Sequence, residues 1–209
     1  MNIRRVLWVA ATTVGLVVGG FALHFPGSFA GQAVWSISAG VFGFVLGAAN
    51  GLAVGLLQRL VLGRRVGAGV VAWMALAVGG SHAVFDASKA PSSIVLVAGL
   101  AGVVMAAAYL VAIRDRSPAR VATVGVAWAL ALLASHLISN AMGLPFEATP
   151  FGWAIDHAFD GLVVGLGFGV ATAAAGVVER LSGSDRPDAA AEVMAEPRSP
   201  RVERPGRDT

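Results

Sequence analysis

Three pairs of polar residues stand four positions apart inside otherwise apolar stretches: His82 with Asp86, His136 with Asn140, and Asp156 with Asp160. Residues at that spacing lie one above the other on a single helix face, so each pair presents two side chains in one direction. Imidazole and carboxylate together can hold a divalent metal, relay protons or neutralise a cationic group, which makes His82, Asp86, His136 and Asp160 the candidate metal ligands. Counted at 1.5 Å per helical residue from the nearest arginine of the same segment, His24, His82, Asp86, His136, Asn140, His157 and Asp160 all come out at roughly 24 to 34 Å. With Asp156 they form one polar layer near the outer boundary of a membrane.

The ordinary explanation for such a layer weighs more than a site. Polar side chains are least costly at a membrane boundary, where they cap helix ends and reach headgroups or water. On that account no cofactor is expected, and a bound divalent metal is the alternative. Asn50 is set apart because it lies closer to the midplane, where an amide needs a partner; an interhelical hydrogen bond is expected there.

Covalent catalysis finds little support. Ser81 and His82, like Ser135 and His136, are adjacent, and adjacent helical residues point about 100° apart rather than at each other. The sequence contains no GxSxG, no HExxH and no glycine-rich phosphate loop ending in Lys and Ser or Thr. Cysteine is absent, which removes disulfides and thiolate chemistry. A non-enzymatic protein is expected.

The elements that would position these groups are six apolar segments: 6–23, 33–57, 66–85, 93–113, 121–140 and 153–178. Each reaches or exceeds the roughly 17 to 20 residues that carry a helix across about 30 Å of hydrocarbon. With 56% hydrophobic and 13% charged residues in 209, the chain is too apolar for a domain dissolved in water. The expected fold is an all-α, polytopic transmembrane helical bundle over residues 1–180, with six spans arranged as three hairpins and an internal repeat suggested. Residues 181–209 read as a disordered cytoplasmic tail, since they are rich in Pro, Ser and charge. From Glu179 onward six arginines are offset by seven acidic residues.

Charge sets the orientation. Arg4, Arg5, Arg59, Arg64, Arg65, Arg114, Arg116, Arg120 and Arg180 fall on one side of these spans, and Lys89 alone falls opposite. The positive-inside rule then puts both termini in the cytoplasm of a bacterial-type plasma membrane, with outer loops around Pro26, Pro91 and Pro145. The isoelectric point near 10.5 does not imply nucleic acid, because the basic residues sit at segment ends and not on one face interleaved with aromatics. The expected partners are the lipid bilayer and either a second copy or another membrane protein. Arg4, Arg5 and the triplet Ser28-Phe29-Ala30 resemble a secretory signal, but the 18-residue apolar run exceeds the usual core of about 7 to 15, so a retained span is expected.

Segments three and five share a pattern. Arg65 and Arg120 each precede a tryptophan, Trp73 and Trp128, by eight residues, and Ser81-His82 with Asp86-Ala87 matches Ser135-His136 with Asn140-Ala141. The second and sixth segments carry glycines four apart, Gly43, Gly47, Gly51 and Gly55 in one and Gly161, Gly165 and Gly169 in the other. Small residues at that spacing let backbones approach, so these two helices are expected to pack on each other or on a second copy. The run from Gly51 and Gly55 through Gln58, Leu60, Val61 and Leu62 to Arg64 and Arg65 resembles a diffuse group of uncharacterised multi-spanning bacterial membrane proteins, and that resemblance implies no activity. The first expectation for function is helix packing in a scaffold or accessory role. The alternative is a small transporter or ion-handling protein with a His, Asp and Asn site in the outer leaflet.

Overall fold

A computed structural model of the chain describes residues 2–34, 39–63, 66–88, 94–142 and 149–182, with the side chains of 24–34 and of Pro150 left aside. The described residues are all-α: α1 (Ile3–Val34), α2 (Ala39–Leu62), α3 (Ala68–Ala87), α4 (Ile94–Ile113), α5 (Pro118–Met142), α6 (Pro150–Ala174) and the short α7 (Val177–Leu181). Six of them are long and apolar enough to cross a membrane, with α1 contributing Ile3–Leu23 and α6 Phe151–Ala174. The chain is a multi-pass integral membrane protein. Its outer surface carries Val14, Val45, Leu56, Val103, Leu130 and Val170, all exposed, as a helix bundle solvated by lipid requires.

Local chemistry explains where the helices stop. α2, α4 and α6 all end at the same end of the bundle on a residue in the left-handed region: Gly63 at φ 81°, Arg114 at φ 57° and Gly176 at φ 76°. Such a residue turns the chain out of the helix, cheaply for glycine and at a cost for arginine. Two starts are alike as well. Thr149 and Ser117 each offer a hydroxyl to the backbone N–H three residues on, Gly152 and Arg120, and each is followed by a proline whose missing N–H would have gone unused.

Several boundaries depart from expectation: α2 begins at Ala39 and ends at Leu62 where 33 and 57 are expected, and two further departures have a local cause. α1 runs unbroken to Val34 where a loop around Pro26 is expected; one missing N–H costs a single ladder bond, whereas leaving the helix next to an apolar span would free many backbone groups. The sixth span, expected to reach residue 178, stops at Ala174 because Gly176 reverses the chain into α7. The expected tail beyond 182 and the loops bearing Lys89, Pro91 and Pro145 lie outside the described residues.

Each long helix packs on its sequence neighbours and α6 closes onto α1, giving a ring of six. Three seams are tight enough to exclude a β-carbon. At α2 and α3, a side chain on Gly47 would meet the Val78 carbonyl at 2.7 Å, and one on Gly55 would meet the Val71 backbone at 2.7 Å. At α1 and α6, Gly161 and Gly165 lie against the Leu16 carbonyl and Thr13 Cα, each 2.5 Å from where a β-carbon would stand. Gly102 and Gly125 abut each other's carbonyls between α4 and α5. The glycine faces of α2 and α6 thus turn to α3 and α1 and not to each other. The sequence pattern shows that a helix has a small face, but not which neighbour it meets.

The end of the bundle bearing the arginines is pinned by two ion pairs. Arg5 Nε bonds Glu179 Oε1 at 2.7 Å, tying α1 to α7, and Arg120 Nε bonds Asp115 Oδ2 at 2.6 Å in the α4–α5 connection. Asp115 is buried, and burial by itself raises its pKa. Hydrogen bonds from Arg120, the Ser117 N–H and the Tyr109 hydroxyl, together with the Arg120 charge, outweigh burial and lower it to about 2. A carboxylate depressed in this way stabilises the fold above its unfolded pKa near 4, and that contribution is lost as the pH falls through about 2. Asp115→Asn is expected to cost about 2 kcal/mol at pH 7 and to flatten the stability profile between about pH 4 and 2, read from denaturant unfolding in detergent. An unchanged profile would remove Asp115 from the acid response.

Candidate functional site

The opposite end of the ring holds a half-open cavity of about 270 Å³ reached by α1, α2, α3, α5 and α6. Its polar wall is made by Asn50, Ser81, His82, Asp86, His157 and Asp160, and its apolar wall by side chains such as Leu16, Val78, Phe85 and Val164. Among the described residues no lysine or arginine lines it. A second, more polar cavity of about 250 Å³ lies between α5 and α6, lined by Ser135, His136, Ser139, Asn140, Asp156 and Asp160. The two share Phe85, Leu132 and Asp160.

Helix packing explains how these groups come together. On α3 the close approach of α2 sets Asp86 against Gly43 and the His82 ring against Gly47, so that both side chains lie where α2 has no bulk of its own. On α6 the His157 carbonyl lies 2.5 Å from where a β-carbon on Gly20 would stand, which brings α6 close enough to α1 for His157 and Asp160 to reach the same space. The His82 and His157 rings meet edge to face at 6.1 Å, and Trp153 packs on His157 at 4.9 Å.

Asp160 accepts a short hydrogen bond from the buried Ser135 hydroxyl across the α5–α6 seam, and Asp156 accepts one from Ser139 at 3.3 Å. His136 Nε2 and Asn140 Nδ2 lie 2.9 Å apart on a largely exposed face of α5. Ser81 is committed: its hydroxyl donates to the Ala77 carbonyl and accepts from Trp128 Nε1 at 2.9 Å. Neither adjacent Ser and His pair is bonded as a nucleophile and base.

The candidates therefore divide. His82, Asp86, His157 and Asp160 line the first cavity; His136, Asn140 and Asp156 line the second, with Asp160 common to both. The side chain of His24 lies outside the described residues. The proposed metal quartet is split by this arrangement, and among the described residues no three of His, Asp and Glu gather as a metal-holding group.

The expected flat layer is graded in depth. His82 is five residues from the end of α3, about 8 Å in, whereas Asp160 is ten residues from the start of α6, about 15 Å in; Asn50, expected deeper than the layer, is eleven from the start of α2, about 16 Å in. The difference comes from α6 being capped at Thr149 and broken at Gly176, which puts Asp160 near the middle of its span. An ionisable group at that depth is far costlier than one at the boundary.

Sequence reading missed the acceptors' context more than the acceptors. Ser135 as the partner of Asp160, and Leu16 and Gly20 as cavity wall, left no pattern that a helix apolar on every side would display. Below the cavity, toward the arginine end, the space is closed by packed aromatics: Trp128 on Phe168 at 5.1 Å, Phe168 on Trp73 at 6.1 Å, and Trp73 on Trp8 at 6.3 Å and Tyr109 at 4.9 Å. In comparisons with protein-family models, curated proteins and solved structures, the chain matches none of them.

Proposed function

We propose that the chain is a non-enzymatic, cation-handling protein of a bacterial-type cytoplasmic membrane, a small transporter or ion-binding protein whose site is the cavity at the end away from the arginines. The positive-inside rule makes that end the outer one and both termini cytoplasmic. One observation carries the reading: Asp86 and Asp160, from helices distant in sequence, line a single cavity with Asn50, His82 and His157 and, among the described residues, with no lysine or arginine on its wall. Two carboxyl groups in a low-dielectric recess favour a positively charged occupant. The aromatic packing beneath supports a site entered from one side.

The test is calorimetric titration of the purified protein in detergent with a panel of chlorides: sodium, potassium, magnesium, zinc and short alkylammonium. At least one cation is expected to bind saturably, and Asp160→Asn to weaken it at least tenfold, about 1.4 kcal/mol, with Asp86→Asn acting in the same direction. If no cation binds saturably while the variants fold as wild type does, packing in a scaffold or accessory role becomes the better account.

A further inference from the structure

At the arginine end a third cavity, of about 280 Å³ and open on one side, lies between the start of α3, the end of α4 and α7. α3 and α4 meet tightly there, since a β-carbon on Gly69 would stand 2.7 Å from the Ala112 carbonyl. The reversal at Gly176 carries Arg180 and Leu181 to the same space. Among the described residues Arg180 is the one charged side chain on the wall. It is half-buried, and its guanidinium makes no hydrogen bond or ion pair with any described residue. The carboxylates described at this end are both committed elsewhere, Glu179 to Arg5 and Asp115 to Arg120. Arg114, exposed and directly after the wall residue Ile113, adds a second positive charge beside the cavity.

A guanidinium keeps its charge when partly withdrawn from water, and its planar fork of N–H donors matches the oxygens of a phosphate. The cavity lies where spans begin and end, the level at which the phosphates of a bilayer stand, and a basic pocket between helices at that level suits an anionic head group. Val70, Ile113 and Leu181 give the same cavity an apolar side, on which the glycerol and first methylenes of a lipid can rest. We infer that this cavity holds a phosphate-bearing anion with Arg180 as its anchor. The chemistry at Arg180 is the same for a lipid head group and for free phosphate. The site is separate from the cavity at the other end of the ring, and it stands or falls independently of the cation reading.

The inference is tested by calorimetric titration of the full-length protein in detergent with short-chain phosphatidylglycerol, short-chain phosphatidylcholine and inorganic phosphate. Wild type is expected to bind the anionic lipid or phosphate saturably and in preference to the zwitterionic lipid. Arg180→Gln is expected to weaken that binding about tenfold or more, the scale of a lost hydrogen bond to a charged group, and Arg180→Lys, which keeps the charge but not the fork, to weaken it less. Arg59→Gln is the control, because Arg59 is exposed in the last turn of α2 and does not line the cavity. Binding that depends on Arg180 upholds the site: of phosphatidylglycerol alone it names a lipid head group, and of inorganic phosphate, with or without the lipid, it names the phosphate itself. Equal affinity for the two lipids without phosphate binding, an equal loss in Arg59→Gln and Arg180→Gln, or no saturable binding overturns the proposal. Should Arg180→Gln fail to elute as wild type does, Arg180→Lys decides, and an affinity unchanged from wild type then overturns it.

Discussion

Gly51→Val is expected to lose most of the folded protein. Gly51 lies where α2 crosses α3, and a β-carbon there would sit on the Met74 carbonyl and 2.9 Å from Ala75 Cα. Both obstacles are backbone, so no rotamer change makes room and the two helices must separate. Forced separation of a packed core ordinarily costs about 1 to 3 kcal/mol and more where backbone has to move; valine, branched at its β-carbon, belongs at the upper end. Water cannot drive these helices back together inside a bilayer, where association depends on close packing. The consequences reach the cavity, because the same seam holds His82 and Asp86 against Gly47 and Gly43.

The control is Gly99→Ala on α4. Gly99 is exposed and a β-carbon there meets nothing within 4 Å, so alanine should be neutral or stabilise by up to about 1 kcal/mol through helix propensity. Unfolding in mixed micelles, with elution volume compared with wild type, reads both variants. A Gly51→Val protein as stable as Gly99→Ala would show that the α2–α3 seam is looser than these contacts require.

The class of fold was legible because it rests on length and composition, which six long apolar runs state without ambiguity. Partner choice was not. α2 has four glycines in register, yet valine and leucine cover its other faces too, so nothing in the run says whether Gly47 meets α6 or α3. Depth was misread for a related reason. Counting from Arg180 places Asp160 at the outer boundary, and that count passes through Gly176, a single residue whose positive φ ends one helix and starts another. The i, i+4 pairs were sound as geometry within a helix. What they could not show was that His82 with Asp86 would meet Asp160 and Asn50 in one cavity while His136 with Asn140 stayed on the neighbouring one.

The second large effect centres on Trp73. Trp73 and Trp128, matched in sequence, are both buried, and Phe168 packs against both rings. Trp73 is the hub: it stacks on Trp8 at an interplanar angle of 13°, meets Tyr109 edge to face, and directs its indole N–H at the Met105 carbonyl 3.4 Å away. It thereby joins α1, α3, α4 and α6 at one level. Trp73→Ala is expected to cost about 3 to 5 kcal/mol, the range for emptying a large aromatic site that cannot collapse. Trp73→Phe should cost less, since a ring still fills much of the space and the long indole bond contributes little. The aromatic layer also separates the cavity from the arginine end, so Trp73→Ala should raise the leak of small cations from proteoliposomes relative to Trp73→Phe. Stability close to wild type in Trp73→Ala would mean that the ring of helices closes without this hub. A large loss of stability without added leak would mean that Trp8, Trp128 and Phe168 suffice to close the floor of the cavity.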